Sequence, residues 1–388
     1  MSFCHYFVRG ATIPSRLGSV ELNEDSALIY SVEKVAEWED ERWSTQMRHY
    51  DHRADQWAGD YASPPGMAVS GVPLFDPSQG QTVLVPESSG AGYWVGAPSI
   101  IWDPSRQSFL LTYRRRRPRE IKPDRGYVAH VAESQDGLHF HDIATIQKSD
   151  FDTTSMEKFS LAFESGGPYR LYVSYVDPAD NRWRIDVLEA SRPEDLGQAH
   201  PRPVLTAATT GTEGVKDPWV FRLGGLWQML VSYAAPRQVD VATRARMHQT
   251  ADVYNTGVLV APSGLALSDD GLNWRWEGEI FGVGAEGAWD SYQTRLGCLV
   301  YRAPLWIGYY DGSRSVEENY EERCGIAYSF DLRHWQRVTF AGPALVSPHA
   351  TGSLRYLTAV SHHGALHFYY EYVRADGAHE LRRNVVPE

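Results

Sequence analysis

The stretch TEGVKDPWVFRLGGLWQMLVSY, residues 212–233, holds two runs of β-forming side chains joined by a glycine pair. Trp219, Val220 and Phe221 lie in the first run, Leu223-Gly224-Gly225 reads as a hairpin turn, and residues 228–233 form an apolar strand ending in tyrosine. Asp217 stands at the mouth of the first strand, between Lys216 and Pro218. A lone carboxylate there reads either as an active-site acid or as a strand end tied down by the neighbouring ammonium. The motif by itself leaves both open.

Outward from this hairpin the tyrosine-ended strand recurs. FLLTY ends at Tyr113, LYVSY at Tyr175, QMLVSY at Tyr233, LWIGYY at Tyr310 and FYYEY at Tyr372. Before each lies another apolar run (APSIIW, FSLAF, PWVF, RLGCLVY, RYLTAV), and after each, across a polar loop, a third (YVAHVAES, RIDVLEAS, LVAPSGLALS, RCGIAYSF, ELRRNVV). Three of the third strands run into a turn closed by an aromatic residue, QDGLHF, DDGLNW and FDLRHW, which leads to an outer strand. Four short antiparallel strands repeating at about 60 residues make a propeller blade, so the chain is expected to be all-β, a five-bladed β-propeller. The fifth unit stops after its third strand, and Val83-Leu84-Val85, or Val72-Pro73-Leu74-Phe75 before it, is expected to supply the missing outer strand. Residues 1–65 do not follow the repeat and are expected to form an N-terminal accessory segment packed on the propeller, with 66–388 as the propeller itself.

Composition narrows the partners. Against 37 Lys+Arg stand 49 Asp+Glu, a net charge of −12, which disfavours a protein living on phosphate contacts with nucleic acid. The aromatic share is 12%, with 13 Trp and 22 Tyr; such side chains line sites for sugars and equally fill all-β cores. Three scattered cysteines, Cys4, Cys298 and Cys324, argue against a disulfide framework or a structural zinc site. With no secretory signal pattern and no apolar run long enough for a membrane span, a cytoplasmic protein without membrane or nucleic-acid partners is expected.

In a propeller blade the first strand begins, and the second ends, on one face. Counting sixteen residues back from each terminal tyrosine puts Ala97, Phe159, Asp217, Thr294 and Tyr356 at equivalent places near the channel mouth. Beside them stand Glu157 and Lys158, then Asp290, Gln293 and Arg295, then Arg355. Carboxylates and cations gathered at one axis suit acid–base work on a polar substrate, although salt bridges between blades would look similar. Asp217, Glu157 and Asp290 are the expected acidic set; Lys158, Arg295, Arg355, Gln293, Glu371, Trp94 and Arg114 are expected to bind substrate. The long excursion between second and third strands, residues 234–256, is the expected lid.

This pattern resembles the five-bladed propeller glycosidases, glycoside hydrolase families 43 and 32. The resemblance spans roughly residues 70–388 and rests on the blade period, the turn at 268–274 and Lys216-Asp217-Pro218. It implies that Asp217 steadies the transition state and tunes the acid. It also sets SPHATGSLRY, residues 347–356, against a segment whose histidine lies near the channel and helps bind a metal, which would be His349; no other cofactor is implied. The sequence departs from the family in the first blade, where Val95-Gly96-Ala97-Pro98 has alanine at the place of the base or nucleophile Asp. Two readings follow: a glycosidase-like enzyme acting on a sugar or sugar-containing small molecule by carboxylate acid–base catalysis, or a propeller that has lost hydrolysis and binds a ligand or serves other acid–base chemistry in small-molecule biosynthesis.

Overall fold

The tyrosine-ended strands are apolar on both faces because each is packed between two neighbours. Met229 and Val231 face a layer that holds Tyr172, Ile185 and Val187, whereas Leu230 between them faces Leu296, Leu299 and Tyr310. Tyr369 and Tyr370 divide in the same way, one toward Phe109 and Leu111, the other toward Tyr309 and Ile326. A strand buried on both sides needs a sheet on either side, and side chains of period two then serve both.

The computed structural model describes residues 71–235 and 238–388. Strands β2 (Trp94–Asp103), β3 (Ser108–Arg117), β4 (Arg125–Ser134) and β5 (His141–Gln147) form the first blade. The second comprises β6 (Ser160–Phe163), β7 (Tyr169–Val176), β8 (Trp183–Ala190) and β9 (Arg202–Leu205). The third comprises β10 (Val215–Leu223), β11 (Leu226–Tyr233), β12 (Ser263–Ser268) and β13 (Arg275–Phe281). In the fourth, β14 (Gln293–Arg302), β15 (Leu305–Ser313) and β16 (Arg323–Ser329) are followed by a two-residue β17 (Gln336–Arg337). The fifth blade has β18 (Leu354–His362), β19 (Ala365–Val373) and β20 (His379–Pro387) from the end of the chain, and β1 (Gln81–Leu84) lies antiparallel to β20 as its outer strand.

Of the two segments expected to close the ring, the one at 83–85 supplies the strand. The earlier one anchors it: Phe75 packs on Phe368 and Tyr370 at 5.0 and 5.3 Å, and Tyr309 donates its hydroxyl to the Pro73 carbonyl. Five apolar layers fill the five junctions between blades, so the core is distributed around the ring and the axis is left to polar residues. In the three expected turns, Asp136, Asp270 and Asp331 each accept the backbone N–H groups two and three residues on, a repeated local cap that ends the third strand.

The accessory segment expected over residues 1–65 lies outside the described residues. No helix among the described residues is long and apolar enough to cross a membrane.

Candidate functional site

Three of the five first strands carry a bulge at the same height. Opposite single residues of β3, β11 and β19, the pairs Ala97-Pro98, Asp217-Pro218 and Tyr356-Leu357 are squeezed into the ladder. The first residue of each pair is left-handed, with φ of 52°, 58° and 53° at Ala97, Asp217 and Tyr356. Such backbone costs on the order of 1–2 kcal/mol in a non-glycine residue and is kept where a side chain must be re-aimed. Here it turns Asp217 and Tyr356 toward partners on other blades.

Asp217 is 1% exposed and shared among neighbours. Its Oδ1 accepts the Lys158 amide at 3.3 Å and its Oδ2 accepts Arg295 Nη1 at 2.9 Å, while Lys216 Nζ lies 3.7 Å from the same oxygen. Arg295 also donates Nε to Asp311 at 2.9 Å and lies over the Tyr356 ring, 3.8 Å from its centroid. Asp311 in turn accepts the Tyr356 amide at 2.9 Å.

A second knot joins the remaining blades. Glu157 accepts Arg114 Nε at 2.9 Å and Arg116 Nη1 at 2.5 Å, and the Tyr356 hydroxyl reaches it at 3.3 Å. Glu371 accepts two donors of Arg355, at 2.9 and 2.7 Å, and the Ala97 amide at 3.0 Å. Arg355 places its third donor on Glu322 at 2.9 Å, where Gln293 Nε2 also binds. His379 stands between Glu371 and Glu321, 2.8 and 3.1 Å away, and stacks on Trp94. Trp94 also carries the Arg355 guanidinium on its ring, at 4.7 Å.

Burial pushes the Glu157, Glu322 and Glu371 carboxyls up, but the guanidinium groups of Arg114, Arg295 and Arg355, the largest opposing influence on each respectively, hold all three below the usual carboxylate range, Glu322 at about 2. Asp311 goes the other way, because burial, reinforced by Glu322, outweighs Arg295. Burial lowers Lys158 to about 8; its ammonium donates to the Gly297 carbonyl at 3.4 Å, with Asp217 and Asp311 pulling it back up. His379 is lowered by burial yet raised overall by Glu321 and Glu371.

The structure thus brings together Asp217, Glu157, Lys158, Arg295, Arg355, Gln293, Glu371, Trp94 and Arg114. Asp290 must be taken out of the acidic set. It is buried against the fourth blade, where Arg337 of β17 and the Tyr310 hydroxyl of β15 bind its Oδ2 at 2.6 and 2.9 Å. Counting back from the strand end did not separate it from the channel, because it precedes β14 by a turn. His349 also stands apart, exposed on its loop with its ring edge-on to Tyr372 at 6.1 Å. Among the described residues no group of three or more His, Cys, Asp or Glu side chains converges as metal ligands would.

Arg116 belongs to the positive run 114–117, which the sequence offers either as a solvated loop or as a holder of an anionic or polyhydroxyl ligand; five residues of the cluster are not singled out by the sequence: Lys216 as a site residue, Asp311, Glu322, Tyr356 as a side chain, and His379. Asp311 and Glu322 were legible as acids at the two ends of a polar loop, and His379 as the first residue of the last strand. The stretch expected as a lid divides in two. Residues 251–255 are fastened by Tyr254, whose hydroxyl bonds the Gly214 and Ser232 carbonyls, and by Asp252 with Arg125 and Tyr320, whereas the helix Val241–Gln249 is largely exposed.

No protein-family model and no curated protein matches this chain. Solved structures do. A thermostable family-43 glycoside hydrolase aligns with a TM-score of 0.55 at 12% identity, over 79% of this chain and 92% of the other. The β-1,2-mannobiose phosphorylase from Listeria innocua, in complex with β-1,2-mannobiose, gives 0.52 at 14% identity over 77% and 90%. The GH43_1 enzyme from Xanthomonas citri complexed with xylotriose gives 0.53 at 13% identity over 79% and 90%. The fold is that of the five-bladed family-43 propellers.

Proposed function

We propose that this chain is a glycosidase-like enzyme that acts on a sugar or sugar-containing small molecule at its axial cluster, with Asp217 at the reacting centre and Lys158 as the group that carries the proton. One observation supports this most. Charged side chains from all five blades are buried around one axis with hydrogen-bonding capacity left over: among the described residues, Arg114 Nη2, Gln293 Oε1 and Trp94 Nε1 have no partner. A buried polar atom without a partner costs about 1–3 kcal/mol, and such atoms persist where a polar ligand or water completes them. The neighbours named above act on or hold sugars, which is consistent with the ligand class.

The division of labour differs from a pair of carboxylates. A carboxyl that protonates a leaving oxygen needs a raised pKa, and Glu157, Glu322 and Glu371 are all held down. Lys158, at about 8, is in the range where an amine surrenders its proton near neutrality, and its own amide binds Asp217. A second reading, binding without turnover, is favoured by Ala97, which supplies no proton chemistry in the first blade.

A panel of aryl glycosides and oligosaccharides tests both. The enzyme reading expects turnover by the native chain, a loss of at least about 10²-fold in Asp217→Asn, and an alkaline limb near pH 8 that disappears in Lys158→Met. Calorimetric binding of sugars with no turnover of any would establish the second reading instead.

A further inference from the structure

Lys216 is a cation of the axial cluster whose ammonium has no close acceptor. Its side chain is buried, 1% exposed, and among the described residues its ammonium makes no hydrogen bond. The nearest carboxylate oxygen, Asp217 Oδ2 at 3.7 Å, already accepts Arg295 at 2.9 Å. Arg114, Arg295 and Arg355 each hold two carboxylates, and Lys158 at least has a carbonyl. An ammonium carries three donors and no acceptor, and burying it without acceptors is costly.

What surrounds it is aromatic. The Tyr254, Trp183 and Tyr320 rings lie 4.4, 5.3 and 5.9 Å from Nζ, centroid distances at which a cation is held by ring faces. Tyr254 is fixed by its hydroxyl on the Gly214 and Ser232 carbonyls. Tyr320 also carries Arg116, 4.6 Å from its centroid, and Arg116 in turn covers Trp94 at 4.9 Å. Aromatic faces with two cations between them form a wall suited to a flat, amphipathic ligand that carries negative charge.

We propose that the site takes a sugar bearing a carboxylate, whose single charge is received by Lys216 with Arg116 beside it. This rests on the sugar reading above and narrows it. A neutral hydroxyl would accept from the ammonium but leave its charge shared with an oxygen that Arg295 already uses. A phosphate would bring up to two negative charges beside Asp217 and Glu157, more than one ammonium without a close acceptor balances. A uronate brings one.

The test compares galacturonate and glucuronate with their methyl esters and with galactose and glucose, using the full chain in calorimetry and saturation-transfer NMR, with inorganic phosphate as competitor. The acids are expected to bind at least about tenfold more tightly than the matched esters, with the advantage falling as salt rises. Lys216→Met should abolish the preference and Lys216→Arg should keep much of it. Esters and acids binding alike would overturn the acidic assignment and leave the sugar reading standing. Should no sugar bind, charged or neutral, both fall. Displacement of the uronates by phosphate alone at equal concentration would show a tetrahedral oxyanion site and overturn the carboxylate. Where Lys216→Met fails to fold, the acid-to-ester ratio of the native chain still decides.

Discussion

At the scale of single residues, the informative comparison is between Ala97 and Asp217, which share a bulge position and a left-handed backbone. Aspartate tolerates that conformation better than alanine, so Ala97→Asp should fold without backbone penalty. Its effect should be electrostatic. The Ala97 amide already donates to Glu371, and a new carboxylate beside it would face Glu371 and, through Arg114, Glu157. Like charges raise each other's pKa. The variant is therefore expected to bind ligand more weakly and to turn over more slowly than the native chain; increased glycosidase activity in a direct assay would instead mean that the family's first-blade base can be reinstated here.

Elements explain what could be read in advance and what could not. The blades are legible because every second strand is apolar on both faces and carries a tyrosine in its last half, a signal that survives without knowing which strand pairs with which. The site is legible only in part, since bulges and turns shift side chains along the strand and a one-residue shift turns a side chain to the opposite face. Asp290 shows this: a turn before β14 carries it outward to Arg337. Asp290→Asn should leave turnover unchanged while lowering stability by about 1–3 kcal/mol, because a charge-assisted bond to a buried partner is weakened. Thermal unfolding and the sugar panel together check this, and loss of turnover with unchanged stability would return Asp290 to the site. The excursion after β11 makes a second expectation. Amides at 251–255 should exchange as slowly as strand amides and those of Val241–Gln249 much faster; equal protection of both halves would remove the idea of a partial lid.

At the scale of the propeller, ion pairs are the spokes between blades. Glu157 ties the second blade to Arg114 and Arg116 of the first, Arg295 ties the fourth to Asp217 of the third, and Arg355 ties the fifth to Glu322 between β15 and β16 of the fourth. Buried pairs of this kind contribute little net stability when intact, yet breaking one by removing a partner's charge costs several kcal/mol. Closure of the ring is hydrophobic instead: half-buried Phe75 seats β1 on the fifth blade, and Phe75→Ala should cost about 2–3 kcal/mol, less than the roughly 3–5 of a fully buried phenylalanine, read as a lowered urea midpoint.

Acid should undo the spokes first. Glu157, Glu322 and Glu371 all have folded pKa values below the unfolded value of 4.5, so the unfolded chain binds more protons and the stability they supply is present above about pH 4.5 and lost as pH falls; for Glu322 the window runs down to about 2. Lys158 acts at the other end: its folded value of about 8 lies below 10.5, so its burial penalty is full below pH 8 and relieved between pH 8 and 10.5. His379, raised in the fold, adds stability below its unfolded value that is lost as pH rises through the folded one. Urea unfolding at pH 7, 5 and 3 should show the steepest loss between the last two. In Glu322→Gln that slope should be shallower, because one proton-binding site has gone, although the variant starts less stable at pH 7 with Arg355 short of a partner. A slope unchanged from the native chain would mean that the acid sensitivity resides outside the axial cluster and that its carboxylates are not what holds the blades in register.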